Sequence, residues 1–472
     1  MSPALAAMLT AIFVVGLFVM DARGRDRQSA ALWIPVAWLF ITGTRFVSQW
    51  LSLGQPIVID AGDGSTIDAL FFLLCIFSSA AVLIRRRVQL ADVVRANGWI
   101  VAFLSFGLIS VIWSDFPFVS FKRWVKVLGH PLVALVILTD PDPRRALATV
   151  MKRCAFLVLP ISILFVKYYP QYGRGFDAWT GEGFYNGAGI NKNYLGYLSM
   201  TFTIFLAWHF LTVRRLQNLA ERRKEVIFCG LLLPMSVWLL YICDSATSLA
   251  TAVIGVLTLL ALGLRIVNKE HVFAYTVAVA AVCFIVEITF DAYEAIIAML
   301  GRDPTLTDRT EVWADALALQ PNVLLGAGFE SFWLGSRLDI LWQKWWWRPN
   351  QAHNGYIETY LNLGLIGVGL LAGLLFTTFR RICRQLTEDF DNARLRFSFL
   401  LVLLLYNYTE AAFKGVHFMW TIFYIVAMVY PATIEREMRA PATYGSPGQV
   451  RRFAAGVPTR RAATGGSGDR LS

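Results

Sequence analysis

Apolar runs near twenty residues long, separated by short polar breaks, make up most of the chain. As helices, such runs match the roughly 30 Å hydrocarbon thickness of a bilayer. About thirteen candidate spans follow: 3–20, 30–48, 68–84, 98–113, 124–139, 154–169, 193–211, 226–243, 246–264, 272–290, 355–379, 396–411 and 416–430. Barrel strands would be shorter and would alternate in polarity, and that alternation is absent. The pattern predicts an all-α, polytopic helical membrane protein with one long, partly helical loop at 291–354. The expected division is 1–290 with the first ten spans, the loop at 291–354, 355–430 with the last three spans, and a disordered basic tail at 431–472.

Loop charge supplies the sidedness. Every second loop is basic, including those with Arg85/Arg86/Arg87, Arg144/Arg145/Lys152/Arg153 and Arg380/Arg381/Arg384. The positive-inside bias makes that side cytoplasmic, together with the tail. The opposite side receives the 291–354 loop. Thirteen basic residues stand against the bias: Arg45, Lys122, Arg123, Lys126, Lys167, Arg174, Lys192, Arg302, Arg309, Arg337, Lys344, Arg348 and Lys414. They call for a reason other than topology.

Composition agrees with a membrane protein. The 472 residues are 57% hydrophobic and 16% charged, against roughly 25% charged in soluble chains. The net charge of +11 follows from the basic loops and gives no reason to invoke nucleic acid. The six cysteines show no CxxC spacing, so neither a disulfide framework nor a metal site is indicated. Arg23, Arg25 and Arg27 follow the first apolar run instead of preceding it, which predicts an uncleaved first helix.

Four constellations can carry chemistry. In 301–320, Thr307 or Asp308 caps a helix whose apolar face is Val312, Trp313, Ala316 and Leu319, ended by Pro321 and Asn322. Arg309 in its first turn and Arg302 before it either clamp a diphosphate or pair with Asp303, Asp308 or Glu311. In 350–358, His353 stands where the chain re-enters the membrane and is able to accept a proton near neutral pH. Glu358 either orients it or sits in a polar interior. The Gly-rich 171–196 segment holds Arg174 and Lys192, and Asn191 or Asn193 caps the next span. Lys122, Arg123 and Lys126 either face a polar cavity or reach to headgroups. Trp342, Trp345, Trp346 and Trp347 read as an interfacial belt or a sugar-stacking surface.

Three ordered motifs, GRDPTLTDRTEVW at 301–313, GAGFESFW at 326–333 and AHNGYIE at 352–358 followed by LNLGLIG at 361–367, resemble the O-antigen ligase and exopolysaccharide polymerase family. The outer Asn191-Lys192-Asn193 run, followed by Leu195 and Gly196, is similar to it too. The resemblance covers roughly 185–375, and exopolysaccharide polymerases of the succinoglycan type fit the pattern better than ligases do. It implies a multi-pass enzyme of the bacterial inner membrane with its active site facing the periplasm. The donor is a polyprenyl-diphosphate-linked oligosaccharide, the acceptor a sugar hydroxyl, and neither metal nor cofactor is expected. His353 is then the catalytic base or the group that orients the acceptor, Arg302 and Arg309 are diphosphate contacts, and Arg174 and Lys192 are further contacts. Arg123, Lys126, Asn193, Asn354 and Glu358 are supporting residues. Many relatives carry an arginine at the start of the span matching 246–264. Here 244–249 has none, which leaves Lys122, Arg123 or Lys126 as substitutes.

The expected function is polymerisation of exopolysaccharide repeat units, with the bilayer and other exopolysaccharide assembly and chain-length proteins as partners. One alternative is an O-antigen ligase using another acceptor. The other is a glycolipid flippase or secondary transporter, which would show repeat symmetry and charges near the midplane.

Overall fold

Most of the apolar runs become single helices, and several helices overrun the runs at their charged ends. The computed structural model describes residues 1–22, 29–55, 64–176, 181–290 and 309–431. Arg23, Arg25, Arg27, Arg302, Thr307, Asp308 and the tail beyond 431 lie outside the described residues.

The 68–84 run is the Thr66–Arg85 helix, the 193–211 run is Lys192–Val213, and the 226–243 run is Leu219–Ile242. The short connection expected at Asp244–Ser245 is present. Ser245 caps the next helix, Ala246–Gly263, by accepting from Ser248 N, and Asp244 turns the chain at φ 49°.

The helix matching 154–169 starts at Pro143 instead. Its Lys152 and Arg153 are buried, not loop residues. Lys152 Nζ lies 2.8 Å from both Glu225 carboxylate oxygens and 3.3 Å from Asp21 Oδ1. Arg153 Nε is 3.5 Å from Asp21 Oδ2, and His209 Nε2 is 2.8 Å from Glu225 Oε2. Two cations facing two carboxylates offset part of the penalty of burying charge. Deleting one partner would cost about 3–5 kcal/mol. The 396–411 run begins earlier for the same reason, at Phe390. Arg394 pairs with Asp391 at 2.8 Å, and Arg396 donates to Met428 O at 2.7 Å. The Gly355–Glu388 helix likewise takes Arg380, Arg381 and Arg384 out of the expected loop.

Among the described residues, eight helices are long and apolar enough to cross a membrane. They become nine if the pair Leu90–Ala96 and Gly98–Trp113, bent by 97°, is one crossing. Ala30–Gly43 and Phe418–Ala427 are apolar but shorter. The 124–139 run is split into Pro117–Val127 and Gly129–Leu138. Length alone therefore establishes fewer crossings than thirteen. Pro143–Tyr168 and Lys192–Val213 are the most enclosed helices, and Pro3–Ala22 and Lys269–Glu287 are the most open. Exposed Leu, Ile and Val on such rim helices suit a lipid environment.

The described part of the long loop forms a cap with its own apolar cluster. Helices Arg309–Ala318 and Gly335–Lys344 enclose Val312, Ala316, Phe332, Trp333, Leu338, Leu341 and Trp345. The cap is seated on a break in the Gly355–Glu388 helix at Gly364, where φ is 62°. Leu365 N donates to Val323 O at 2.9 Å, and Ala327 N donates to Leu361 O at 3.0 Å. Gly326, at φ 71°, lies so near that a Cβ there would sit 2.4 Å from the Asn362 carbonyl carbon. Only glycine combines that backbone region with that approach. The tryptophan run serves this cap more than a belt. Trp345 is buried and donates to Asp315 Oδ2 at 2.8 Å, Trp342 donates to Pro349 O, and Trp346 alone is largely exposed. Beside the helices, Arg174–Phe176 pairs antiparallel with Gly183–Tyr185.

Candidate functional site

The Phe390–Thr409 helix ends where Asn407, fully buried, turns its Oδ1 to accept from Ala412 N and Phe413 N, both at 2.9 Å. That local cap leaves Glu410 at the helix terminus, facing the cap. Three sequence-distant groups converge on its carboxylate. Arg309 Nη2 lies 3.0 Å from Glu410 Oε1, and Asn193 Nδ2 donates to the same oxygen at 2.8 Å. His353 Nδ1 lies 3.1 Å from Oε2. Arg309 Nη1 also donates to Thr409 O. The arginine thus pairs with Glu410, not with the neighbouring Glu311. Among the described residues these contacts use two of the five N–H groups of the guanidinium.

His353 is held from both sides of the chain. Asn354 next to it caps the Gly355–Glu388 helix, accepting from Tyr356 N at 2.9 Å and Ile357 N at 3.1 Å, and donates to Tyr408 O at 3.0 Å. Glu358, buried, does not orient the imidazole directly. It accepts from Ala352 N at 2.6 Å and Trp333 Nε1 at 3.0 Å, so it fixes the backbone just before His353. His353 itself has φ 51°, a left-handed conformation in a residue other than glycine. Such strain persists only where surrounding contacts impose it, and it concentrates at functional sites. Burial pushes the His353 pKa below its ordinary value, the Glu410 carboxylate counters this in part, and Arg309 and Lys414 add to the lowering. The net effect favours the neutral imidazole.

The other expected site residues separate into near and far. Lys192 Nζ is 3.9 Å from Asp244 Oδ2. It is thus the cation beside the 244–245 turn, whereas Arg123 and Lys126 contact other parts of the fold. Arg174 is exposed, donates to Val166 O at 2.9 Å and lies over the Tyr185 ring, away from Glu410. Arg123 donates to Glu330 O, joining its helix to the cap. Lys126 comes near Gly64, not Glu410. Arg337 and Lys344 pair with Asp115 and Asp315. Arg302 lies outside the described residues.

Two groups that sequence reasoning left out of the site are in it. Glu410 lies at the end of the 396–411 run, but nothing in the sequence ties it to His353, 57 positions away. Lys414 stood among the cations that defy topology. It is half-buried and, with Glu330 and Glu358, lines a small cavity of about 20 Å³ behind the cap.

A family model described as O-Antigen ligase matches residues 230–372. The Exopolysaccharide production protein ExoQ of Rhizobium meliloti (strain 1021) is 30% identical over 308 residues, which are 62% of this chain and 67% of that protein. The chain belongs to the O-antigen ligase and exopolysaccharide polymerase family. It is accordingly a membrane enzyme of the glycosyl-transferring type. The segment matched by the O-antigen ligase model includes Arg309 and His353 and stops before Glu410.

Proposed function

We propose that the protein polymerises exopolysaccharide repeat units at the outer face of the inner membrane, drawing them from a polyprenyl-diphosphate-linked donor. The observation that carries this is the convergence of His353, Arg309 and Asn193 on Glu410. A base and a phosphate-binding group share one carboxylate at a single end of the helical bundle. A transporter would place such charges near the midplane.

The proposed reaction uses these groups as follows. The acceptor hydroxyl oxygen bonds to the anomeric carbon of the donor sugar. The bond from that carbon to the diphosphate breaks, and its electron pair leaves with the diphosphate. The hydroxyl proton passes to His353 Nε2, because Nδ1–H is directed to Glu410 Oε2. The remaining N–H groups of Arg309, with Lys192, meet the charge that develops on the leaving diphosphate; Arg302, outside the described residues, is assigned the same role from its motif alone.

Glu410→Gln tests the pairing through pH. The amide removes the one influence that raises the His353 pKa and leaves Arg309 and Lys414, which lower it. The acid limb of kcat/KM is expected to move to lower pH, and kcat to fall by about 10²-fold as the imidazole loses its orientation. An unmoved acid limb would separate Glu410 from His353 function.

Sidedness is tested by labelling. Ser336, in the cap, and Gln217, in a basic loop, are both exposed. In intact spheroplasts an impermeant thiol reagent is expected to modify Ser336→Cys and spare Gln217→Cys. The reverse pattern would put the site on the cytoplasmic face. An acceptor assay with glycan chains and with a lipid-borne core distinguishes polymerase from ligase, and extension of the glycan chain is the expected result.

A further inference from the structure

A second, larger cavity of about 470 Å³ opens at the other end of the helix that begins beside His353. Its lining includes Arg380, Arg381, Arg384, Gln385 and Glu388 from that helix. These lie 27 to 35 residues beyond His353, past the break at Gly364, at the far end of a span. They are remote from the reacting groups at Glu410.

The arginines divide into builders and an open pair. Arg381 donates to Ala427 O at 3.1 Å and Ala96 O at 3.0 Å, tying three helices together. Arg396 donates to Gln385 Oε1 at 3.0 Å and to Met428 O, which fixes the adjoining wall. Arg380 and Arg384 are exposed, one turn apart on one helix face, and neither has an ion-pair partner among the described residues. Arg380 rests over the ring of Phe376, one turn deeper, and that ring is itself exposed. Glu388 is the one carboxylate in the lining, so three arginines less one glutamate leave the groove at +2. Ala96, Val429 and Pro431 add an apolar wall.

The geometry points to a binding site for the headgroup of an anionic phospholipid in the leaflet opposite the active site. Arg380 and Arg384 take the phosphate, and the acyl chains run past Phe376 into the hydrocarbon. A basic groove at the end of a span, continuous with an exposed aromatic ring below it, matches a lipid with one charged and one apolar end. A free anion has no use for Phe376. A zwitterionic lipid brings an ammonium group into a cationic groove.

The test uses the full-length protein in phosphatidylcholine vesicles carrying a trace of spin-labelled phosphatidylglycerol or spin-labelled phosphatidylcholine. The fraction of immobilised label reports selection. The parental protein is expected to select phosphatidylglycerol, by about fivefold per arginine engaged. Arg380→Gln/Arg384→Gln is expected to bring selection near parity. Arg85→Gln/Arg87→Gln, which removes two exposed charges from another basic loop, is expected to keep it. Both doubles change exposed side chains, and thermal unfolding of each checks the fold. No selection by the parental protein, or equal loss in both doubles, would overturn the site in favour of general surface charge. Displacement of the labelled lipid by inorganic phosphate at matched concentration would overturn the lipid as occupant.

Discussion

His353→Ala is expected to slow chain extension by about 10²–10⁴-fold, the usual worth of a positioned general base, with the protein still present in the membrane. Its side chain is partly buried in the cap, where its ring contacts are to Glu410 and Gln351, so removal is expected to leave the helical bundle intact. Alanine adopts the left-handed backbone of this position no more easily than histidine does. A stability measurement therefore accompanies the rate. In cells, lipid-linked single repeat units are expected to accumulate on the outer face, where an external glycosidase reaches them. Accumulation on the inner face would instead mark a failed flippase. An alanine variant that extends chains at the parental rate would remove His353 from the mechanism.

Arg309→Lys is expected to lose nearly as much activity as Arg309→Ala, about 10²–10³-fold in kcat, the range for one lost donor to developing charge. The guanidinium spans Thr409 O and Glu410 while keeping further N–H groups for a phosphate. A lysine ammonium keeps the charge and loses the planar fork. The alanine variant adds a second effect. It removes a cation that lowers the His353 pKa, so the acid limb of its rate profile is expected to move to higher pH, opposite to Glu410→Gln. Full activity in the lysine variant would reduce Arg309 to a generic positive charge. The purified variants, assayed across pH, give both readouts.

The chain's class was legible because lipid imposes a length and an apolarity that few soluble helices share. Span edges were less legible wherever charge is buried. Lys152 and Arg153 look like loop residues until Asp21 and Glu225 come from other helices to meet them. The helix of the cap could be read from Val312, Trp313, Ala316 and Leu319, because a 3.6-residue period is local information. The meeting of Arg309, Asn193 and His353 could not be read, because it depends on how four distant segments pack. Counting cations that defy the positive-inside bias did select Arg309, Lys192 and Lys414. It also selected Arg337 and Lys344, which only secure the cap. The tryptophans misled for a related reason: Trp345 fills a core that has no counterpart in the hydropathy pattern.

The central claim is that this chain by itself joins lipid-linked repeat units and uses His353 to do so. It is tested by reconstituting the purified protein in vesicles with a single polyprenyl-diphosphate-linked repeat unit as donor and acceptor. The polyprenyl diphosphate released and the number of new glycosidic linkages are then counted in the same reaction. One diphosphate per linkage, with glycans several repeats long for the parental protein and almost none for His353→Ala, is the predicted result. Diphosphate release without longer glycans, or undiminished extension by the alanine variant, would contradict it.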